Sequence, residues 1–232
     1  IITPLKDRFG SEIRTHYPQS LEHEMSIVEQ ERTVFADEDL AVSVPGYMKE
    51  VIAEVTHLAR KHPDISQRSG VSVRVSICNY ENVVSNATRR AIRLGERQVT
   101  PRVSDLTAVL ASTSGKVELE AVGEVREERI VDKLVQGAVT NVFNRYFKVQ
   151  EFEALLRAFD NGLVMETSET MPAMEYVRQA LEVDGLKHAV AKLGAEGNPP
   201  AIASAVELVL EGLHLSRKLN KDRQPTRARY RR

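Results

Sequence analysis

Tryptophan is absent from this chain, cysteine occurs once, at Cys78, and aromatic residues make up only 5%. A lone cysteine excludes an internal disulfide and any cysteine-based metal cluster. The shortage of rings fits helices packed through Leu, Val, Ile and Ala better than an aromatic-rich β-sandwich. No apolar run is long enough to span a bilayer and no secretory signal opens the sequence. Both observations point to a cytoplasmic protein without a membrane partner. The six histidines (16, 23, 57, 62, 188 and 214) are scattered, and His57 and His62 have no carboxylate-bearing helical motif between them, so no zinc site is expected.

What is present is ordinary for a soluble globular protein: 42% apolar and 28% charged residues in 232, enough for one large domain or two small ones. The net charge of −1 conceals an asymmetry. Residues 217–232 hold eight of the 32 Lys and Arg but one of the 33 acids, leaving 24 bases against 32 acids before them, a balance of −8. A basic end on an acidic body can touch polyanions, although termini of this composition are commonly disordered. The acidic body and the single aromatic of the tail, Tyr230, argue against nucleic acid as the partner.

Helical signals dominate the chain. Ser20 caps a predicted helix over Ser20–Arg32, with acids in its first turn. An acidic connector, Thr33–Val44, follows. Pro45 opens a second helix, with Met48, Val51, Ile52, Val55 and Leu58 at helical spacing and Pro63 as its stop. A third runs from about Ser72 to Arg93 and is closed by Gly95. Val99-Thr100-Pro101 reads as a loop, an N-cap and a first-turn proline leading into Val103–Leu110. Ser112-Thr113-Ser114-Gly115 marks a boundary. Beyond it, helices are predicted over Glu124–Phe147, Glu151–Asp160, Pro172–Leu181 and Pro199–Leu215, with a brief strand at Leu163–Glu166. Cys78 reads as a small buried residue. Arg89, Arg90, Arg93 and Arg97 form a basic stripe of the kind that usually faces solvent and sometimes a subunit interface.

Near the start, Pro4-Leu5-Lys6-Asp7-Arg8-Phe9-Gly10-Ser11 runs into Glu12-Ile13-Arg14-Thr15-His16-Tyr17-Pro18, which reads as a short strand ending at proline. An Asp-Arg-Phe closing a short helix before a strand resembles the arginine-finger segment of MoxR-like and magnesium-chelatase-type AAA+ ATPases. Gly70-Val71-Ser72-Val73-Arg74 is similar to the Gly-x-Ser-x-Arg that opens the third lid helix of MoxR-like proteins, where the arginine is sensor 2. The helix pair, polar loop and Val99-Thr100-Pro101 resemble that clade's helical lid. Glu207-Leu208-Val209-Leu210-Glu211-Gly212-Leu213-His214 resembles the C-terminal helical extension of some bacterial chelatase-like ATPases.

The resemblance implies a mainly α protein: the end of an AAA+ α/β core and a connector (1–44), a helical lid (45–111), a C-terminal helical domain (112–216) and a basic, disordered tail (217–232). It implies that Arg8 is an arginine finger acting in trans, with Arg14 as the alternative if the register differs. Arg74 is the expected sensor 2. The interval from Arg74 to Val99 is about one helical turn longer than in the family, so either the helix is extended or Arg68 takes that role. ATP and Mg2+ are the implied cofactors of the whole protein, a ring of identical subunits its assembly, and a second protein its partner. Ser114-Gly115-Lys116 lacks the earlier glycine of a phosphate-binding loop, so the Walker A and B elements are expected upstream of Ile1 and this chain alone is expected to be inactive. A rival reading is a non-enzymatic helical interaction module whose basic tail grips nucleic acid or an acidic partner.

Overall fold

The computed structural model describes residues 8–11, 13–34, 39–66, 68–119, 124–224 and 226–232. Pro4–Asp7 and Glu12, which belong to the arginine-finger-like segment, lie outside them. The described residues are mainly helical. Helix α1 (Leu21–Glu31) starts as predicted, the Ser20 side chain accepting from the His23 amide at 3.2 Å. Helix α2 spans Gly46–Ala59 and α3 spans Arg74–Leu94, ending on Gly95 at φ +67°. A left-handed residue is what closes a helix there, and glycine adopts it without steric cost. A 3₁₀ turn (Val103–Ala108) leads into α4 (Val109–Ser114). The long α5 (Glu124–Tyr146), a second 3₁₀ turn (Val149–Phe152) and α6 (Glu153–Asp160) follow. Then come β3 (Met165–Ser168), α7 (Ala173–Leu181), α8 (Asp184–Lys192) and α9 (Pro199–Leu215).

Four expectations are corrected. The strand predicted over Glu12–Pro18 is absent at residues 13–18, which have no regular structure; Ile13 is 86% exposed, and no neighbouring strand offers its amides a ladder. The short strands lie elsewhere, β1 (Ala41–Val42) pairing in parallel with β2 (Gln98–Val99). The N-cap expected at Thr100 falls at Arg102 instead, whose amide donates to Asp105 Oδ2 at 2.8 Å. The carbonyls of Thr100 and Pro101 are engaged by Arg90 Nη2 and by Ser204 Oγ. Helix α4 runs through the Ser112–Ser114 boundary, and the buried hydroxyls of Ser112 and Thr113 both meet Asn79 Oδ1, at 2.6 and 3.1 Å.

The fourth correction concerns the basic tail. Residues 220–223 (β4) and 227–231 (β5) form an antiparallel hairpin, with β5 between β4 and β3. Alternation explains why so charged a segment folds. Tyr230 and Ala228 lie on the face shared with Lys221 and Arg223 opposite them. Tyr230 and Leu219 are 2% and 3% exposed, Ala228 and Lys221 are half-buried, and Arg223 reaches solvent. The turn into β4 completes the end of α9: Lys218 N–H donates to Leu213 O and Arg217 N–H to His214 O, with Arg217 at φ +58°.

Two cores share α5 and α9. One joins Val51, Ile52 and Val55 of α2 and Val83 of α3 to Leu134 and Val142 of α5 and Leu208 of α9. The other gathers Phe143, Phe152, Phe159, Tyr176, Leu186 and Leu213 with Tyr230. The boundary expected at residue 111 therefore runs through shared apolar packing, and Val28 places α1 in the first core as well. Helix α9 is central, buried from Ile202 to Leu213. Gly212 lets α5 approach it: a Cβ there would sit 2.2 Å from the Phe143 ring. We expect Gly212→Ala to lower stability by about 1–3 kcal/mol through overpacking, although alanine favours a helix by about 1 kcal/mol. Urea denaturation would read the loss, and an unchanged or higher midpoint would contradict this packing.

Candidate functional site

Arg8, Arg14, Arg68 and Arg74 are all exposed, and none is ion-paired to another described residue. Arg8 and Arg14 lie on the segment that precedes α1. Arg74 is the first residue of the 21-residue α3, with its amide 3.2 Å from Ser72 Oγ. Arg68 sits on the loop before it. A guanidinium in the first turn of a helix adds its charge to the partial positive end of the backbone, a combination suited to phosphate.

Val71 and Ser76, which flank Arg74 in sequence, belong to a cluster that sequence reading did not single out. The Arg60 guanidinium donates to Glu24 Oε2 and Oε1 at 2.6 and 2.8 Å and, through Nε, to Val71 O at 2.9 Å. Glu24 is 1% exposed. Ser76 Oγ lies 2.5 Å from Glu24 Oε1 and 2.7 Å from Thr56 Oγ1, so it donates to the carboxylate and accepts from the threonine hydroxyl. A carboxylate with three donors, two of them charged, is stabilised despite its burial. On the outer side, Tyr17 Oη accepts from the Val71 amide at 3.0 Å, and its ring lies 4.7 Å from the Arg60 guanidinium carbon. The only sequence signal was an acid at position 24, one helical turn before the core residue Val28.

A second polar cluster lies where the sheet covers α9. Glu207 accepts from the Ser104 amide at 2.7 Å, the Ser104 hydroxyl at 3.2 Å and the Tyr176 hydroxyl at 2.6 Å. One turn later, Glu211 Oε2 accepts from Lys221 Nζ at 2.5 Å and the Tyr230 hydroxyl at 2.6 Å. Burial pushes the Glu211 carboxyl up, but the Lys221 charge and the two hydrogen bonds outweigh it and hold the group below its usual 4.5. Burial and the neighbouring Glu211 raise the Tyr230 phenol. Beside these residues a cleft of 360 Å³ is bordered by Ser104, Thr107, Lys221 and Arg223. Both carboxylates already hold their donors and are poor general bases: Glu211 anchors the hairpin, and Glu207 ties α9 to Ser104 and to Tyr176 of α7.

The basic stripe divides. Arg90 is buried, its Nη2 2.9 Å from Asp105 Oδ2, and ties α3 to the 3₁₀ turn; Arg89, Arg93 and Arg97 are exposed. Cys78 is half-buried. Ser114-Gly115-Lys116 is the end of α4 and the turn after it. Among the described residues no three His, Cys, Asp or Glu side chains are grouped to hold a metal ion, and no helix is long and apolar enough to cross a membrane. No protein-family model, no curated protein and no solved structure matches this chain.

Proposed function

We propose that this chain is the C-terminal portion of an AAA+ ring ATPase of the MoxR and magnesium-chelatase type, coupling ATP hydrolysis to remodelling of a partner protein or delivery of a metal ion. The observation that carries the reading is Arg74: an exposed guanidinium at the first residue of a long helix, with no ion-pair partner among the described residues. It follows Arg8, itself exposed, in the order the resemblance requires. In this reading Arg74, or Arg68 on the adjoining loop, faces the phosphates of a nucleotide. Arg8, or Arg14, reaches the site of a neighbouring subunit. Mg-ATP supplies the phosphoryl bond whose cleavage drives the machine. The side chains available here fit the γ-phosphate end of a nucleotide; among the described residues no glycine-rich phosphate loop is present to hold the rest.

Charge sets the roles. Phosphoryl transfer spreads negative charge over the γ-phosphate oxygens, and a planar guanidinium meets them with several donors at once. An ammonium offers only a hydrated point charge.

One observation favours the rival, a helical interaction module. Arg217, Lys218, Arg223, Arg227 and Arg229, in the hairpin and the turn before it, are exposed without an ion-pair partner among the described residues. The reading frame upstream of Ile1 separates the two. The ATPase reading expects Gly-x-x-x-x-Gly-Lys-Ser/Thr after a strand there, and Mg-ATP turnover by the complete protein. A start codon at residue 1 would reject it in favour of the interaction module.

A further inference from the structure

We infer that Tyr17, gripped by Arg60, is a positioning residue that couples the segment carrying Arg8 and Arg14 to the helix start carrying Arg74. The inference rests on the ATPase reading above, because it gives those arginines their roles.

The geometry is a catch seated on a clamp. Tyr17 follows Arg14 by three residues, and Val71 precedes Arg74 by three. Both backbone polar groups of Val71 are held by this cluster, the amide by Tyr17 Oη at 3.0 Å and the carbonyl by Arg60 Nε at 2.9 Å. Arg60 cannot readily leave, since its two terminal nitrogens are committed to the buried Glu24 carboxylate. Tyr17, by contrast, is 48% exposed and is joined to the clamp by one neutral hydrogen bond and one cation–π contact. Such contacts are individually weak at a surface. One half is fixed and the other is releasable.

Gly70 supports the same arrangement. It sits at φ +68°, and a Cβ there would lie 2.0 Å from Tyr17 Oη. Only glycine satisfies both the backbone angle and the close approach of the phenol. A displacement of Arg14 and the adjoining residues 15 and 16 by a neighbouring subunit therefore acts on Tyr17, then on the peptide at Val71, and through it on the direction of Arg74. The chemistry recognised at the far end is an anionic phosphate group.

Tyr17→Phe in the complete protein is the test, because it removes the hydroxyl while keeping the ring on a half-exposed side chain. Amide exchange at Val71 should quicken by about two- to tenfold, the worth of one net hydrogen bond. ATP turnover should fall by about two- to thirtyfold, the range of coupling residues that touch no ligand. In an Arg74→Ala background the same substitution should produce no further fall, since Tyr17 then has nothing to position. An equal loss in both backgrounds, or faster Val71 exchange with unchanged turnover, would overturn the inference. If Arg74→Ala and Arg68→Ala both leave turnover intact, the phosphate role of this helix start fails and the coupling fails with it. Val71 exchange still reports whether the catch exists, so the two failures are distinguishable.

Discussion

On the ATPase reading proposed above, Arg8→Ala in the complete protein is expected to cut ATP turnover on the order of 10³–10⁵-fold, the range of arginine fingers elsewhere, with nucleotide affinity nearly unchanged. The asymmetry follows from when the charge appears. A finger acts on oxygens whose charge redistributes in the transition state, so its loss lowers turnover more than ground-state binding. Arg8 is exposed and has no carboxylate partner among the described residues, so its guanidinium is available to a second molecule. Arg8→Lys should recover a minor share of the loss, because charge is kept while the planar fork is not. Steady-state hydrolysis with separately measured nucleotide binding decides the matter. Unchanged turnover in Arg8→Ala would remove Arg8 from the site, and a comparable loss in Arg14→Ala alone would shift the role to that residue.

Helix ends were readable wherever a local rule fixed them. Gly95 stops α3, and Asn198 with Pro199 starts α9, the Asn198 side chain accepting from the Ala201 amide at 3.2 Å. Such signals act within a few residues. Helix α8 escaped notice because it begins with Asp184-Gly185, a pair that reads as a turn. Gly185 is instead a packing residue, where a Cβ would sit 2.7 Å from Leu155 Cβ. Capping at Thr100 was misjudged because its outcome depended on Arg90, ten residues away.

The polar clusters were hidden for a related reason. Glu24, Glu207 and Glu211 occupy positions that an apolar stripe would bury, but their meaning lies in partners that local sequence does not show. Arg60 is 36 residues from Glu24, and Tyr176 is 31 from Glu207. Arg8 and Arg74 were the reverse case: their residue type and neighbours drew attention to them, and both are exposed with no ion-pair partner among the described residues.

The hairpin makes the strongest structural demand. Lys221→Met is expected to cost about 3–5 kcal/mol near neutral pH, the price of leaving a buried carboxylate without its cation. Lys221 and Tyr230 are the donors to Glu211 Oε2, and the variant retains only the phenol. The pH dependence has a definite sign. In the native protein the folded-state pKa of Glu211 lies below 4.5, so the stabilisation is present above 4.5 and is lost as pH falls through the folded value. Without Lys221, two of the causes that lower that pKa are lost while burial still raises it, so the variant's Glu211 protonates at higher pH than the native one and loses less stability as pH falls. The stability gap between the two proteins should thus be widest near neutrality and narrow in acid. Removing residues 217–232 should cost at least as much, because it also strips Leu219 and Tyr230 from the second core. The composition of that segment had implied a disordered tail instead. Urea denaturation of the three proteins across pH reads both effects. A pH-independent gap would mean that Glu211 is not the group responsible, and an unchanged midpoint on deletion would mean that the hairpin does not belong to the fold.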